Sequence, residues 1–194
     1  MKKIKYFFLL LIILFGCSAN TLYTIDFDLL TLLDDPNSMS GDLYIPGSIQ
    51  AFLPDSDGNP LNPDGGYLIN ASPTFSDIHQ FVVAIELEIS NLGTSSISIA
   101  LDLRLSNVDD ANIYDQITDV SLAADSVILD PGDTVMMQLS TSLDSEAPKL
   151  SLIDPRGFRI GLMLSTSGST TIHFQAESFR IIIKQRPFDL IPPP

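Results

Sequence analysis

An all-β sandwich of about seven to eight antiparallel strands is the fold this sequence predicts. Three observations carry that expectation. Apolar and polar residues alternate with a period of two along several runs, the spacing of half-buried strands. Clusters of Gly, Pro, Asn and Asp separate those runs. No segment after residue 16 keeps a helical period, apart from one short helix expected between Asp109 and Ile117.

The strands follow in order. Tyr23, Ile25, Phe27 and Leu29 alternate with Thr24, Asp26 and Asp28, and the phase slips at Leu30 and Leu32, which predicts a bulge or bend. Asp34 to Asp77 is rich in Pro, Gly, Asn, Asp and Ser. Its apolar patches are Leu43-Tyr44-Ile45 and Ile49 to Leu53, and one edge hairpin plus an exposed loop is expected there. Phe81, Val83, Ile85, Leu87 and Ile89 point one way, with Glu86 and Glu88 opposite. After the turn residues Asn91-Leu92-Gly93-Thr94, Ile97, Ile99, Leu101, Leu103 and Leu105 repeat the pattern against Ser98, Asp102 and Arg104. The two runs read as a hairpin with one buried face. Val135, Met137, Leu139 and Leu143 alternate after Asp130-Pro131-Gly132-Asp133, and Phe158, Ile160, Leu162 and Leu164 after Pro155-Arg156-Gly157. The last run, Ile172, Phe174, Ala176, resumes at Phe179, Ile181, Ile183 with a phase slip near Glu177-Ser178.

Strand, Asn91-Leu92-Gly93-Thr94, strand, then Leu129-Asp130-Pro131-Gly132-Asp133-Thr134-Val135 into a further strand resembles bacterial immunoglobulin-like modules. The pattern is similar to the cell-adhesion-related domain of bacterial surface proteins, over roughly Phe81 to Leu143. The resemblance implies an immunoglobulin-like sandwich acting as an extracellular structural or binding module, with no catalytic residue.

The N-terminus has its own logic. Lys2, Lys3 and Lys5 precede an apolar run from Tyr6 to Phe15, then Gly16 and the only cysteine, Cys17. Ten apolar residues fall short of the roughly twenty that cross a bilayer, so the run reads as a signal-peptide core. Leu14-Phe15-Gly16-Cys17 resembles a bacterial lipoprotein signal, with Phe15 bulkier than that pattern prefers. The resemblance implies cleavage before Cys17, lipidation of Cys17, and a stable membrane anchor, since each buried methylene adds about 0.8 kcal/mol. Ser18 would permit transfer to the outer membrane where the organism has one. The expected organisation is a signal over residues 1–16, a lipidated cysteine and tether over 17–21, and one sandwich over 22–194 with a polar loop region at 34–77. The tether Ser18–Thr21 reaches about 14 Å, holding the domain close to its membrane.

Seven basic residues against 24 acids remain after Cys17, a balance of −17. Between Cys17 and Pro148 the only basic residue is Arg104. Such a surface excludes nucleic acid and anionic headgroups as general partners. It suits solubility outside the cell, or a basic partner in the envelope. Arg156, Arg159, Arg180, Lys184 and Arg186 form a basic C-terminal end, read as offsetting neighbouring acidic strands or as a docking patch.

Candidate sites are few. Asp55, Asp57, Asn59 and Asp64, with Gly58 and Gly65-Gly66 between them, offer calcium its oxygen ligands on a turning loop, and equally make an ordinary polar turn. Gly58 and the missing twelfth-position glutamate depart from the helix-loop-helix pattern. Asp109, Asp110, Asp115 and Asp119 form a second acidic group, read as solvated or, as the alternative, as calcium-binding. His79 and His173 lack metal-site spacing and read as structural. No nucleophile elbow, phosphate loop or dinucleotide fingerprint is present. The expectation is a non-enzymatic, lipid-anchored envelope protein, without a required cofactor, in a structural, adhesive or assembly-accessory role. The alternative is a calcium-dependent carbohydrate- or protein-binding module using the Asp-rich loop 55–66.

Overall fold

A computed structural model describes residues 22–47, 50–54, 59–61, 63, 66–70, 77–109, 113–114 and 120–186. Ten strands lie among them: β1 (Tyr23–Asp28), β2 (Ser40–Ile45), β3 (Gln50–Leu53), β4 (Tyr67–Asn70), β5 (Ile78–Asn91), β6 (Ile97–Asn107), β7 (Val120–Leu129), β8 (Thr134–Asp144), β9 (Gly157–Thr166) and β10 (Thr170–Gln185). They form two antiparallel five-stranded sheets packed as a sandwich. Sheet one runs β1-β10-β5-β8, with β2 continuing the edge that β1 begins. Sheet two runs β3-β9-β6-β7, with β4 beside β3 on the same edge of β9.

Counting each broken edge as one strand gives four positions per sheet, in the order of a double-Greek-key jelly roll. The all-β sandwich expected from the alternation is therefore present. The immunoglobulin-like pattern left the strand order open, and the pairing supplies it.

The alternating residues form the core. Phe81, Val83, Ile85, Leu87 and Ile89 of β5, Ile99 to Leu105 of β6, Phe158 to Leu164 of β9 and Ile172, Phe179, Ile181 and Ile183 of β10 are buried between the sheets. Phe81 and Phe158 meet edge to face across the layers, with centroids 5.4 Å apart. The slip near Glu177 is a bulge: Ala176 pairs with Leu87 and Ser178 with Glu86. The slip after Phe27 is a bend, where β1 ends and a single 3-10 turn, Leu29–Thr31, begins. Asp28 caps that turn by accepting from the Leu30 N–H at 3.1 Å.

Two expectations need correction. The runs at Phe81–Ile89 and Ile97–Leu105 do not form a hairpin: β5 lies in sheet one and β6 in sheet two, facing each other across the core. Alternation reports which face is buried and not whether two strands lie side by side or face to face. The chain crosses at Asn91, whose buried side chain does the holding. Its Nδ2 donates to Ser95 O (2.9 Å) and Leu129 O (3.2 Å). Its Oδ1 accepts from Gly93 N and Thr170 Oγ1, both at 3.0 Å. Every hydrogen-bonding site of the amide facing the crossover is thus used, and the amide replaces the backbone bonds of a hairpin turn.

The second correction concerns Asp34–Asp77. Its apolar patches are not paired as a hairpin, because β2 joins sheet one while β3 and β4 join sheet two. The segment instead carries the chain from one sheet to the other. β7 was not anticipated at all: among the described residues it pairs only with β6, and Asp125 interrupts the row Ala123, Val127 and Leu129 that lies in register with the buried residues of β6. Of the helix expected between Asp109 and Ile117, only Asp109, Ile113 and Tyr114 are described, the last two in a turn.

Candidate functional site

Most of the site residues expected from sequence lie outside the described residues: Cys17, Asp55, Asp57 and Asp64, and also Asp110, Asp115 and Asp119. Asn59 is described, and its Oδ1 accepts from Leu61 N at 3.4 Å, a turn contact within its own loop. Among the described residues no three His, Cys, Asp or Glu side chains converge on a position for a metal ion. Asp109 is held by Arg156, with Nη2 to Oδ2 at 2.6 Å.

Two of the basic residues of the C-terminal end, Arg156 and Arg180, offset neighbouring acids. Arg180 on β10 makes a two-pronged pair with Asp26 on β1, at 2.9 and 2.6 Å. That hydrogen-bonded guanidinium lowers the Asp26 pKa. Arg156 Nε sits 2.8 Å from Asp154 Oδ1, and its hydrogen bonds hold the Asp154 pKa down to about 2. Arg159 donates to Val108 O (3.2 Å) and Gly66 O (3.3 Å). That side chain ties the ends of the two Asp-rich connections, β3–β4 and β6–β7, to each other.

The outer face of sheet two is not simply solvated. Ile113 and Tyr114 lie over it and, with Phe52 and Met163, form a second small apolar cluster. The Phe52 and Tyr114 rings are 4.5 Å apart. Gly161 makes this seat: a Cβ there would overlap Tyr114 Oη and Ile113 Cδ1. Asp102 and Arg104, expected to face water, are largely covered, paired at 2.8 Å with side chains 18% and 13% exposed.

Among the described residues nothing covers the outer face of sheet one, where polar and apolar side chains lie side by side. Strand register sets three rows toward the end of sheet one where β2 and β5 finish and β10 and β8 begin. In the first, Tyr44 pairs with Thr171, whose carbonyl accepts the Leu92 N–H at 2.9 Å. In the second, Asp42, His173, Ser90 and Thr134 follow one another across four strands. The third holds Gln175, Glu88 and Met136. Tyr44, Leu92 and Met136 are 58%, 51% and 42% exposed, so three apolar groups frame a polar centre. His173 Nδ1 lies 2.7 Å from Asp42 Oδ1, which fixes the ring. Ser90 Oγ bonds Thr134 Oγ1 at 2.7 Å and makes no bond with the histidine. The row therefore lacks the serine–imidazole contact of a nucleophile relay.

Sequence reasoning noticed His173 and Glu88 one at a time. It missed the patch because register alone brings β2, β10, β5 and β8 together.

The fold and this face define a jelly-roll β-sandwich whose first sheet exposes polar and apolar side chains side by side. No protein-family model matches the chain, and no curated protein matches it. Among solved structures, it is similar to the T13 particle of infectious bursal disease virus (10% identity, TM-score 0.47, covering 87% of this chain and 36% of that one). The VP2 subviral particle of the same virus gives 12% identity and a TM-score of 0.46, covering 87% and 33%. The chain thus spans about a third of the length of those capsid chains. A family 11 carbohydrate-binding module from Clostridium thermocellum, solved with a mixed-linked tetrasaccharide, gives 9% identity and a TM-score of 0.34, covering 84% of each chain.

Proposed function

We propose that this chain is a lipid-anchored protein of a bacterial envelope, with a non-enzymatic structural, adhesive or assembly-accessory role. The observation that carries the reading is the basic and apolar N-terminal segment closing on Leu14-Phe15-Gly16-Cys17, with β1 beginning only at Tyr23. Leu22 and Tyr23, 41% and 56% exposed, would lie nearest the membrane. The connections β2–β3, β5–β6, β7–β8 and β9–β10 gather at the opposite end, so the Tyr44–Leu92–Met136 face sits in the half of the sandwich away from the anchor. A surface so placed is available to a second envelope component. Cys17→Ser tests the anchor: the variant should leave the membrane fraction and lose incorporation of labelled fatty acid. A variant that stays membrane-bound and labelled refutes it.

A second reading, a calcium-dependent carbohydrate- or protein-binding module using Asp55, Asp57, Asn59 and Asp64, gains support from one contact. Arg159 brings Gly66 and Val108 together, and with them the ends of the two Asp-rich connections. Calorimetric titration with calcium decides it: no heat and no rise in melting temperature end this reading.

A further inference from the structure

The four sheet edges are not equally protected. An unpaired edge invites another strand, and proteins blunt such edges with charge, proline, bulges or short strands. The β1/β2 edge is interrupted by residues 29–39 and carries Asp26, Asp28 and Asp42. The β3/β4 edge consists of two strands of four residues each. β7 carries Asp125, and its register with β6 shifts at Leu103/Arg104. β8 has none of these devices. It runs eleven residues, Thr134-Val-Met-Met-Gln-Leu-Ser-Thr-Ser-Leu-Asp144, with no proline or basic residue and a single charge at its last position. Its register with β5 is unbroken from Thr134/Ser90 to Asp144/Gln80. Among the described residues no strand pairs with its other side.

We propose that β8 pairs with β8 of a second copy of this chain, antiparallel, about a two-fold axis at Leu139. This inference is independent of the anchor. That register overlaps all eleven residues and keeps like faces together, as the two-residue side-chain period requires. On the outer face it sets Gln138 beside Ser140 of the second copy, Met136 beside Ser142 and Thr134 beside Asp144. On the inner face it sets Val135 beside Leu143, with Leu139 meeting itself. No carboxylate opposes another. That matters in a chain with a net charge of −14, because like charges directly across a strand pair repel. On the β1/β2 edge, a two-fold at Phe27 would bring Asp26 against Asp28 of the second copy. The occupant is thus selected by charge: β8 is the long edge on which this acidic chain can meet itself. Pairing there joins the two copies of sheet one into one continuous sheet, with the polar faces of both copies on the same side.

The test uses the full chain in detergent, followed by sedimentation equilibrium. The wild type should sediment as a dimer, and the β8 amides that face away from β5 should exchange more slowly as concentration rises. Ser140→Lys sets two lysines diagonally across the two-fold, where Ala84 is the residue of β5 in register with position 140 and offers no counter-charge. Dimerisation should weaken about two- to fivefold, while the melting curve of the dilute protein stays unchanged. A wild type that remains monomeric at its highest soluble concentration overturns the proposal. So does a Ser140→Lys variant that dimerises as well as the parent.

Discussion

Replacing Asn91 by alanine should cost the sandwich about 3–4 kcal/mol. Asn91 is fully buried and makes four side-chain hydrogen bonds, two through Nδ2 and two through Oδ1. Alanine leaves Leu129 O and Thr170 Oγ1 without those partners in buried surroundings, at about 1–3 kcal/mol for each unsatisfied group. Thr170 Oγ1 regains part of its loss through Thr171 O, already at 3.3 Å. Ser95 O and Gly93 N are only partly buried and recover with water, so each adds a few tenths. The total is a large share of the roughly 5–15 kcal/mol that holds a typical domain together. For a domain of this length it corresponds to a fall of about 10 °C in melting temperature. Urea unfolding followed by far-ultraviolet circular dichroism measures it, since the chain has no tryptophan. Asn91→Asp sharpens the experiment. It keeps the acceptor toward Gly93 and Thr170 but turns a second oxygen toward two carbonyls, where burial raises the folded-state pKa. Between the unfolded value near 3.9 and that raised value the folded state binds more protons, so stability falls as pH rises. The aspartate variant should therefore be more stable at pH 4 than at pH 7. An alanine variant losing less than about 1 kcal/mol, or an aspartate variant indifferent to pH, would refute the claim that this amide holds the β5–β6 crossover.

Other outcomes follow from the same contacts. Gly161→Ala should expel Tyr114 and Ile113 from the outer face of sheet two, at a cost of about 1–3 kcal/mol. Limited proteolysis between β6 and β7 should then accelerate while the core strands keep their amide protection; an unchanged cleavage rate would show that the seat is not needed. Asp154, held at about 2 by Arg156, should titrate nearer the ordinary carboxylate range in Arg156→Ala. Because the folded pKa is depressed, the pair stabilises the fold above the unfolded carboxylate value, and that contribution is lost as pH falls toward 2. Carboxyl-carbon NMR titration of both proteins reads the shift directly.

Much of the sandwich was legible because burial imposes a period of two, and that period survives in sequence. Val135, Phe158 and Ile172 each open a run that becomes a strand, and the slip at Glu177 becomes a bulge. β7 was not legible, because Asp125 stands opposite the buried Leu101 and breaks the apolar row that Ala123, Val127 and Leu129 would otherwise form. The mixed polar and apolar patch on sheet one was legible only in fragments. Asp42 and Ser90 lie 48 residues apart in the chain, and only the pairing of β2, β10 and β5 puts His173 between them. The covering of Asp102 and Arg104 depends on Gly161 leaving room for Tyr114, a relation between residues far apart in sequence.

By itself, the sequence determined the all-β class, the buried faces and the acidity of the chain, and it set the expectation of a lipid anchor at Cys17. These are local properties, readable from period, composition and short motifs. Only the tertiary structure decided that the two strongest strands face each other across the core. Their identical alternation fits either arrangement, and the choice rests on Asn91 reaching Leu129 and Thr170, contacts that no local pattern encodes. It also decided which edge remains open, because an edge is defined by the strand that is missing beside it.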